Sequence, residues 1–296
     1  MLDFRCITPE ILKEYKTHIV SSDIRLCDYA PGCLALWGEY PPTRICVHEN
    51  MLFALTETRP NTFSYMLPVG NGNLYAAFDT IEDDAAQRSI PISFCSIPKE
   101  YVSTIKERFP KLNSINFESK WSDYLYPYAN FCGYHGNALH GQRNHVNRFT
   151  REHPGYTFLP ITGENIDRAE RFMIENRPAF DKDEESAEEE LANLYKIFEA
   201  YDILNLNGGY LIDDDRVLGI TIGEAIGDTL HVHVEKALTQ FTGAYQVLAM
   251  CFAEYMKSDK LKYINRQDDS GDEGLRRSKE TYKPCAMLEK YKMGVS

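Results

Sequence analysis

The sequence predicts an α+β fold in two domains of comparable size, and three observations carry that prediction. Its 296 residues sit where one hydrophobic core usually stops growing and a chain divides. The tetrapeptide Ile161-Thr162-Gly163-Glu164 echoes Ile7-Thr8-Pro9-Glu10 at a spacing of 154, just over half the chain, and each copy opens a helical pattern. From residue 155 onward the periodicity reads strand, two helices, three strands, helix, strand, short helix, strand. That mixed order packs helices on a central sheet.

The elements follow in order. Thr8, Pro9 and Glu10 supply a hydroxyl cap, a proline at the first helical position and an acid at the positive end of the dipole, so a helix runs to about His18. Residues 33–37, 44–48, 51–55, 63–67 and 74–78 read as short strands, separated by turn-rich pieces such as Pro41-Pro42 and Gly70-Asn71-Gly72. Residues 98–109 read as a helix and 115–128 as a strand with a long aromatic continuation. In the second half, a helix over 183–204 places Leu191, Leu194, Ile197, Phe198 and Tyr201 on one face. The acidic run at 181–190 that leads it suits both solvent and a helix N-terminus. Residues 209–212, 217–225 and 229–236 form a meander through the turns Asp213-Asp214-Asp215 and Gly227-Asp228. Gly243 then opens a helix to about Lys257. The expected organisation is a first domain over 1–136, a basic interdomain helix or linker over 137–154, and a second domain over 155–296.

Composition narrows the function. A formal net charge of −12 argues against broad, sequence-blind nucleic-acid binding and against DNA as a partner, because that affinity comes from cations replacing counterions on phosphates. Eight scattered cysteines without a C-x-x-C pair, and an N-terminus without a signal-peptide layout, predict free thiols in a reducing cytoplasm. No window approaches a membrane span, so action on a lipid would come from the water side. Gly-x-Ser-x-Gly, Walker, dinucleotide and zincin signatures are all missing, which disfavours the usual hydrolase and nucleotide-triphosphate chemistries.

Three segments could carry chemistry. His231-Val232-His233-Val234-Glu235 alternates strictly, so His231, His233 and Glu235 are expected on one strand face. They read as a general base with its proton relay in a cleft, as the wet face of a strand, or as metal ligands; the metal reading lacks further convincing ligands. Residues 137–153 hold His140, Arg143, His145, Arg148, Arg151 and His153 against the single acid Glu152, a helix that could position a phosphate or an RNA acceptor end, or a linker whose arginines pair with this acidic protein. Near the C-terminus, Arg276, Lys279 and Lys283 follow i, i+3, i+7 and are expected on one helix face. They could bind an anion or pair with Asp268, Asp269 and Asp272, whose spacing does not match a calcium loop.

The element order from 155 resembles the N-acetyltransferase (GNAT) superfamily, where the helix after the fourth strand receives a pyrophosphate on its N-terminal amides. The corresponding loop here reads Gln240-Phe241-Thr242-Gly243-Ala244-Tyr245, with a bulky ring in place of the last small residue, which argues against coenzyme A while leaving the fold inference intact. Residues 139–149, His233-Val234-Glu235-Lys236-Ala237 with Gly243-Ala244-Tyr245-Gln246, and Tyr263-Ile264-Asn265-Arg266 with Gly274-Leu275-Arg276 and Lys279 together resemble the phosphatidylglycerol lysyltransferase C-terminal-domain family. The resemblance spans nearly the whole chain and implies two tandem GNAT-like domains, each a mixed central sheet flanked by helices. It also implies kinship with enzymes that move an amino acid from aminoacyl-tRNA onto a lipid or a peptidoglycan precursor.

The leading expectation is therefore an aminoacyl- or acyltransferase without a tightly bound cofactor. Its donor would be aminoacyl-tRNA or acyl-CoA, and its acceptor an amine- or hydroxyl-bearing molecule such as a lipid head group at the membrane surface. Glu235, His233 and His231 are the expected catalytic groups. Arg143, Asn144, Gly243, Ala244, Tyr245, Asn265, Arg266, Arg276 and Lys279 are the expected substrate- or anion-binding groups, and no metal site is expected. An acyl-CoA-dependent N-acyltransferase and a non-catalytic binding module that keeps the fold are the alternatives.

Overall fold

The computed structural model describes residues 1–20, 23–180 and 184–295. The chain begins with β1 (Arg5–Cys6), α1 (Pro9–Val20), α2 (Pro31–Trp37), β2 (Thr43–His48), β3 (Met51–Arg59), β4 (Thr62–Tyr65) and β5 (Val69–Gly70). It continues through α3 (Leu74–Arg88), β6 (Phe94–Pro98), α4 (Val102–Arg108), β7 (Ser114–Phe117) and β8 (Asp123–Pro127). Next come α5 (His140–Glu152), β9 (Thr157–Pro160), α6 (Asp167–Phe180), α7 (Glu184–Ala200), β10 (Asn207–Asp213), β11 (Arg216–Ile226) and β12 (Thr229–Ala237). The chain ends with α8 (Ala244–Tyr255), β13 (Tyr263–Asn265), α9 (Glu273–Thr281), β14 (Ala286–Leu288) and β15 (Lys290–Gly294).

Two compact units emerge. One comprises 1–123, 268–271 and 287–296, the other 124–267 and 272–286. The expected boundary at 136/137 thus falls inside the second unit, and the basic helix α5 belongs to that unit because its Phe149 is buried in the core beneath α8 with Val247 and Leu248. Residues 181–183, which open the acidic run, lie outside the described residues, as do the side chains of the rest of the 181–190 run.

In the first unit the strands run β1-β2-β3-β4-β6-β15-β7, with β5 against β3. The Thr8 cap forms as expected, its hydroxyl oxygen accepting from Ile11 N at 3.3 Å, and α1 buries Ile11, Leu12, Tyr15 and Ile19. Two expected strands are helices instead. Pro31 starts α2 after an extended Ala30, and Asn73 caps α3 by accepting from Tyr75 N and Ala76 N at 2.9 and 3.1 Å. Apolar runs as short as 33–37 and 74–78 fit either conformation, and the caps decide between them. The expected strand over 115–128 is two strands, parted by a 3₁₀ turn at Ser119–Trp121.

The last strand also departs from expectation. β15 inserts between β6 and β7 in the first sheet, with Met293 buried and the Tyr291 ring stacked on Phe117 at 5.4 Å. An ion cluster holds it there. Lys290 Nζ lies 2.5 Å from Asp28 Oδ2 and 2.7 Å from the fully buried Asp123, whose other oxygen accepts from Cys27 N at 2.7 Å. Burial works against the ammonium, but Asp123 and Asp28 hold its pKa well above the ordinary lysine value. Cys27, Asp28 and Asp123 have metal-ligand spacing, and Lys290 is the cation that the thiol and the two carboxylates surround.

The second unit's sheet includes the order β8-β13-β12-β11-β10-β9, antiparallel except for the parallel β12–β13 pair. Helix α8 covers one face: a Cβ on Gly219 would lie 3.1 Å from Leu248, and one on Gly223 3.2 Å from Phe252. The small β11 residues thus let the helix lie close, over a core that includes Leu230, Val232, Leu211 and Ala237.

Candidate functional site

A bulge decides which side chains meet. In the β11–β12 ladder Ile222 stands opposite Val234, but Gly223 stands opposite Val232, so β12 carries one extra residue, His233. Below the bulge His231 faces Glu224; above it Glu235 faces Thr221. Thr221 and Glu224 are three positions apart on β11 and therefore on opposite faces, and directly paired residues share a face. The expected single row of His231, His233 and Glu235 is thus split. Glu235 lies on the α8 side with Thr221, and His231 lies with Glu224 on the other.

The histidine face is dry, which removes the reading as a wet strand face. His231 and His233 are both buried, their rings 6.5 Å apart and 18° from parallel. His233 Nε2 is 3.1 Å from Glu224 Oε1, and its Nδ1 is 3.5 Å from Gln267 Nε2. Asn265, paired with His231 across the parallel ladder, is buried too, and its side chain accepts from Gln267 N at 2.7 Å.

On the α8 face the sheet opens. β12 and β13 pair at only three positions, Thr229–Tyr263, Leu230–Ile264 and His231–Asn265, after which β12 continues paired with β11 while β13 ends. Arg266, the first residue past β13, crosses that opening to form an ion pair with Glu235, and both side chains are only 11% exposed. The guanidinium carbon sits 4.4 Å from the centre of the Tyr282 ring, 5.4 Å from Phe131 and 6.0 Å from Tyr126. Those rings brace one another: Phe131 stacks on Tyr282 at 5.4 Å and meets Tyr126 edge-on at 5.4 Å. Tyr134 closes the group and donates to Gln246 O of α8 at 2.9 Å.

Electrostatics follow from this enclosure. Burial opposes the charge on Arg266, and the Glu235 carboxylate more than offsets it, so the guanidinium pKa lies above its ordinary value. Burial pushes the Tyr282 phenol up to about 12, so it stays protonated. Arg266 Nη1 and Thr221 Oγ1 are both buried without a hydrogen-bond partner. A buried charge pair walled by rings has stronger fields than one at the surface.

The other expected anion-binding residues are placed differently. Arg143 Nη1 donates to the carbonyls of Tyr134 and Gly136 at 2.6 and 3.0 Å, fixing the turn that carries the Tyr134 ring. Asn144 is exposed beside His140 at 3.3 Å. Lys279 is buried, and its ammonium donates to the carbonyls of Arg266 at 2.7 Å and Gln267 at 3.3 Å. Arg276 is half-buried on α9, and the helix stops at Thr281, so Lys283 leaves the expected stripe. Gly243 (φ 98°) caps α8 with Ala244 buried behind it, and a Cβ on Gly243 would lie 2.4 Å from His145 O of α5. The start of α8 is therefore pressed by α5, with Tyr245 half-buried next to it.

Sequence reasoning thus named both members of the Glu235–Arg266 ion pair, but not the rings around it or Thr221 opposite it. The dense aromatic run Tyr124, Tyr126, Tyr128, Phe131, Tyr134 was the available signal; what it encloses depends on long-range pairing of β8 with β13. Elsewhere, a cleft of about 500 Å³ in the first unit is lined in part by Asp3, Tyr15, His48, Asp83 and Asp84. The innermost acid there, Asp84, already accepts from Leu2 N, Tyr65 Oη and Arg88 Nε at 2.6–2.8 Å.

Two mixed sheets flanked by helices, the second opening between adjacent parallel strands beneath a glycine-led helix, define a tandem GNAT-like protein. Residues 22–293 match the family described as phosphatidylglycerol lysyltransferase, C-terminal, and the chain belongs to that family. Among solved structures, a conserved protein of unknown function from Bacteroides thetaiotaomicron superposes with a TM-score of 0.90 at 28% identity, covering 100% of both chains. A C-terminal domain assigned to lysylphosphatidylglycerol synthetase from Agrobacterium fabrum gives 0.69 at 13% identity, covering 98% of this chain and 93% of that one. FemX gives 0.62 at 8% identity, over 98% and 97%. No helix among the described residues is long and apolar enough to cross a membrane.

Proposed function

We propose that this chain is an aminoacyltransferase that moves an aminoacyl group from aminoacyl-tRNA onto an amine- or hydroxyl-bearing acceptor, such as a lipid head group reached from the aqueous side. The observation that carries the reading is the enclosed Glu235–Arg266 pair where β12 and β13 part. Membership in a lysyltransferase family supports it. All eight cysteines are free thiols, which fits a cytoplasmic setting.

In this reading the acceptor's nitrogen or oxygen bonds to the aminoacyl carbonyl carbon, and the ester bond to the ribose oxygen breaks. The proton lost by the nucleophile passes by way of Glu235 to the departing oxygen, so atoms and charge balance. Arg266 holds Glu235 in place and offers positive charge to the carbonyl oxygen as it becomes negative. Acyl-CoA suits the site less well as donor, because α5 presses on Gly243 and Tyr245 stands where a pantetheine arm needs a small residue.

The test is a single-turnover assay with a labelled aminoacyl-tRNA pool, vesicles of bacterial lipids and soluble amine acceptors. The wild-type chain is expected to transfer label, and Glu235→Gln to lower the rate by about 10²–10⁴-fold, the usual worth of a positioned acid–base group. Absence of transfer to every acceptor would overturn the reading. Full activity in Glu235→Gln would remove Glu235 from the chemistry.

A further inference from the structure

Native proteins seldom leave a buried polar atom without a partner, because its lost hydration is not repaid. The α8 face of the second sheet keeps two such atoms beside one carboxylate. Thr221 is fully buried, stands directly opposite Glu235 on the neighbouring strand, and its hydroxyl has no partner. Arg266 holds Glu235 through Nη2 while Nη1 is buried and unpartnered. On the far side of Thr221 the ladder offers only Gly209, whose α-carbon is covered by the Phe158 ring, so no side chain there can satisfy the hydroxyl.

We infer that the Thr221 hydroxyl and Arg266 Nη1 are two hydrogen-bond donors for one acyl carbonyl oxygen, the oxygen that gains negative charge when the acceptor adds to the donor's carbonyl carbon. The choice of ligand atom follows from charge. Glu235 already offsets the charge of Arg266, so a ligand that arrives as an anion, a phosphate or a free carboxylate, meets no net positive charge to repay its desolvation. A neutral carbonyl oxygen carries no such cost, and it becomes negative only in the transition state, where a guanidinium and a hydroxyl held in buried surroundings stabilise it most. This assignment rests on the acyl-transfer reading and adds Thr221 as a group that touches the substrate.

Thr221→Val keeps the branched shape and removes the hydroxyl; Thr221→Ser restores it. Because the hydroxyl has no partner in the free chain, Thr221→Val is expected to leave the thermal midpoint unchanged or raised, which a hydrogen-bonded structural threonine would not do. In the transfer assay Thr221→Val should lower kcat/KM by about 10²-fold, the size of losing one oxyanion donor, while Thr221→Ser stays near wild type. A second arm uses no transfer. The full chain is titrated with amino-acid methyl esters and with the matching amino alcohols, which lack the carbonyl, and NMR follows binding.

Tighter binding of an ester than of its alcohol, weakened about tenfold or more by Thr221→Val and recovered by Thr221→Ser, supports the assignment. Equal binding of ester and alcohol, an ester affinity unmoved by Thr221→Val, or no ester binding by the wild-type chain overturns it. If aminoacyl transfer itself is absent while ester binding still depends on Thr221, the tRNA-dependent function falls and the carbonyl site stands.

Discussion

At the scale of single residues, cations that look alike in sequence do different work. Arg266 is held by a carboxylate and three rings, whereas Lys279, from the same basic segment, ends its ammonium on two main-chain carbonyls just past β13. Lys279→Met is therefore expected to leave both carbonyls short of a donor and to cost about 1–3 kcal/mol in urea unfolding. Its exposed neighbour Arg277→Ala should stay within about 0.5 kcal/mol of wild type. Equal effects of the two changes would refute the structural role of Lys279. The clustering of these cations was legible from charge against an acidic background. Their division into buried ion pair, main-chain tie and surface was not, because it depends on where β13 and α9 stop and which way the turns face.

At the scale of elements, the meander, the basic helix and the glycine-led α8 could be read from periodicity and turn residues, but the bulge could not. His231-Val232-His233-Val234-Glu235 alternates without interruption, and only the glycine at position 223 on the partner strand hinted at an irregular pairing. A one-residue slip reverses every face beyond it, so one unseen insertion turned an expected triad into a His231–His233–Glu224 group and a separate Glu235–Arg266 pair. The junction of α5 with α8 is more exacting. Gly243 combines φ of 98° with a Cβ position 2.4 Å from His145 O, so Gly243→Ala meets backbone strain and backbone contact together. It should destabilise by about 1–3 kcal/mol, read as a lower urea midpoint at unchanged m-value. A neutral Gly243→Ala would show that α5 yields at this contact.

At the scale of the whole molecule, a division into two units was legible from length and the repeated tetrapeptide, but not that the C-terminal strand belongs to the first unit. Nothing in residues 287–296 names its partners; Lys290 does so only once Asp28 and Asp123 are beside it. That cluster makes a signed prediction about pH. Burial alone would raise the pKa of Asp28, yet Lys290 and the Ser96 hydroxyl bring it below the ordinary aspartate value of 3.8. A carboxylate lowered in the folded state stabilises fully above its unfolded pKa, and that stability is lost as pH falls through the folded value. The Lys290 ammonium is raised above 10.5, so its contribution is complete below that pH and is lost only as pH rises through its folded value. Between about pH 5 and 9 the contribution of Asp28 and Lys290 in the wild-type chain is therefore flat. Lys290→Met removes the cation and leaves burial to act on Asp28, whose folded pKa then rises above 3.8, reversing the sign. The variant should lose about 3–5 kcal/mol at pH 7, the cost of stripping one partner from a buried pair, and should regain part of it as pH falls from 7 toward 4.5 and Asp28 takes up a proton. Urea midpoints at the two pH values measure this directly. A variant whose stability changes with pH as the wild type's does would show that Lys290 is not the group that keeps Asp28 ionised.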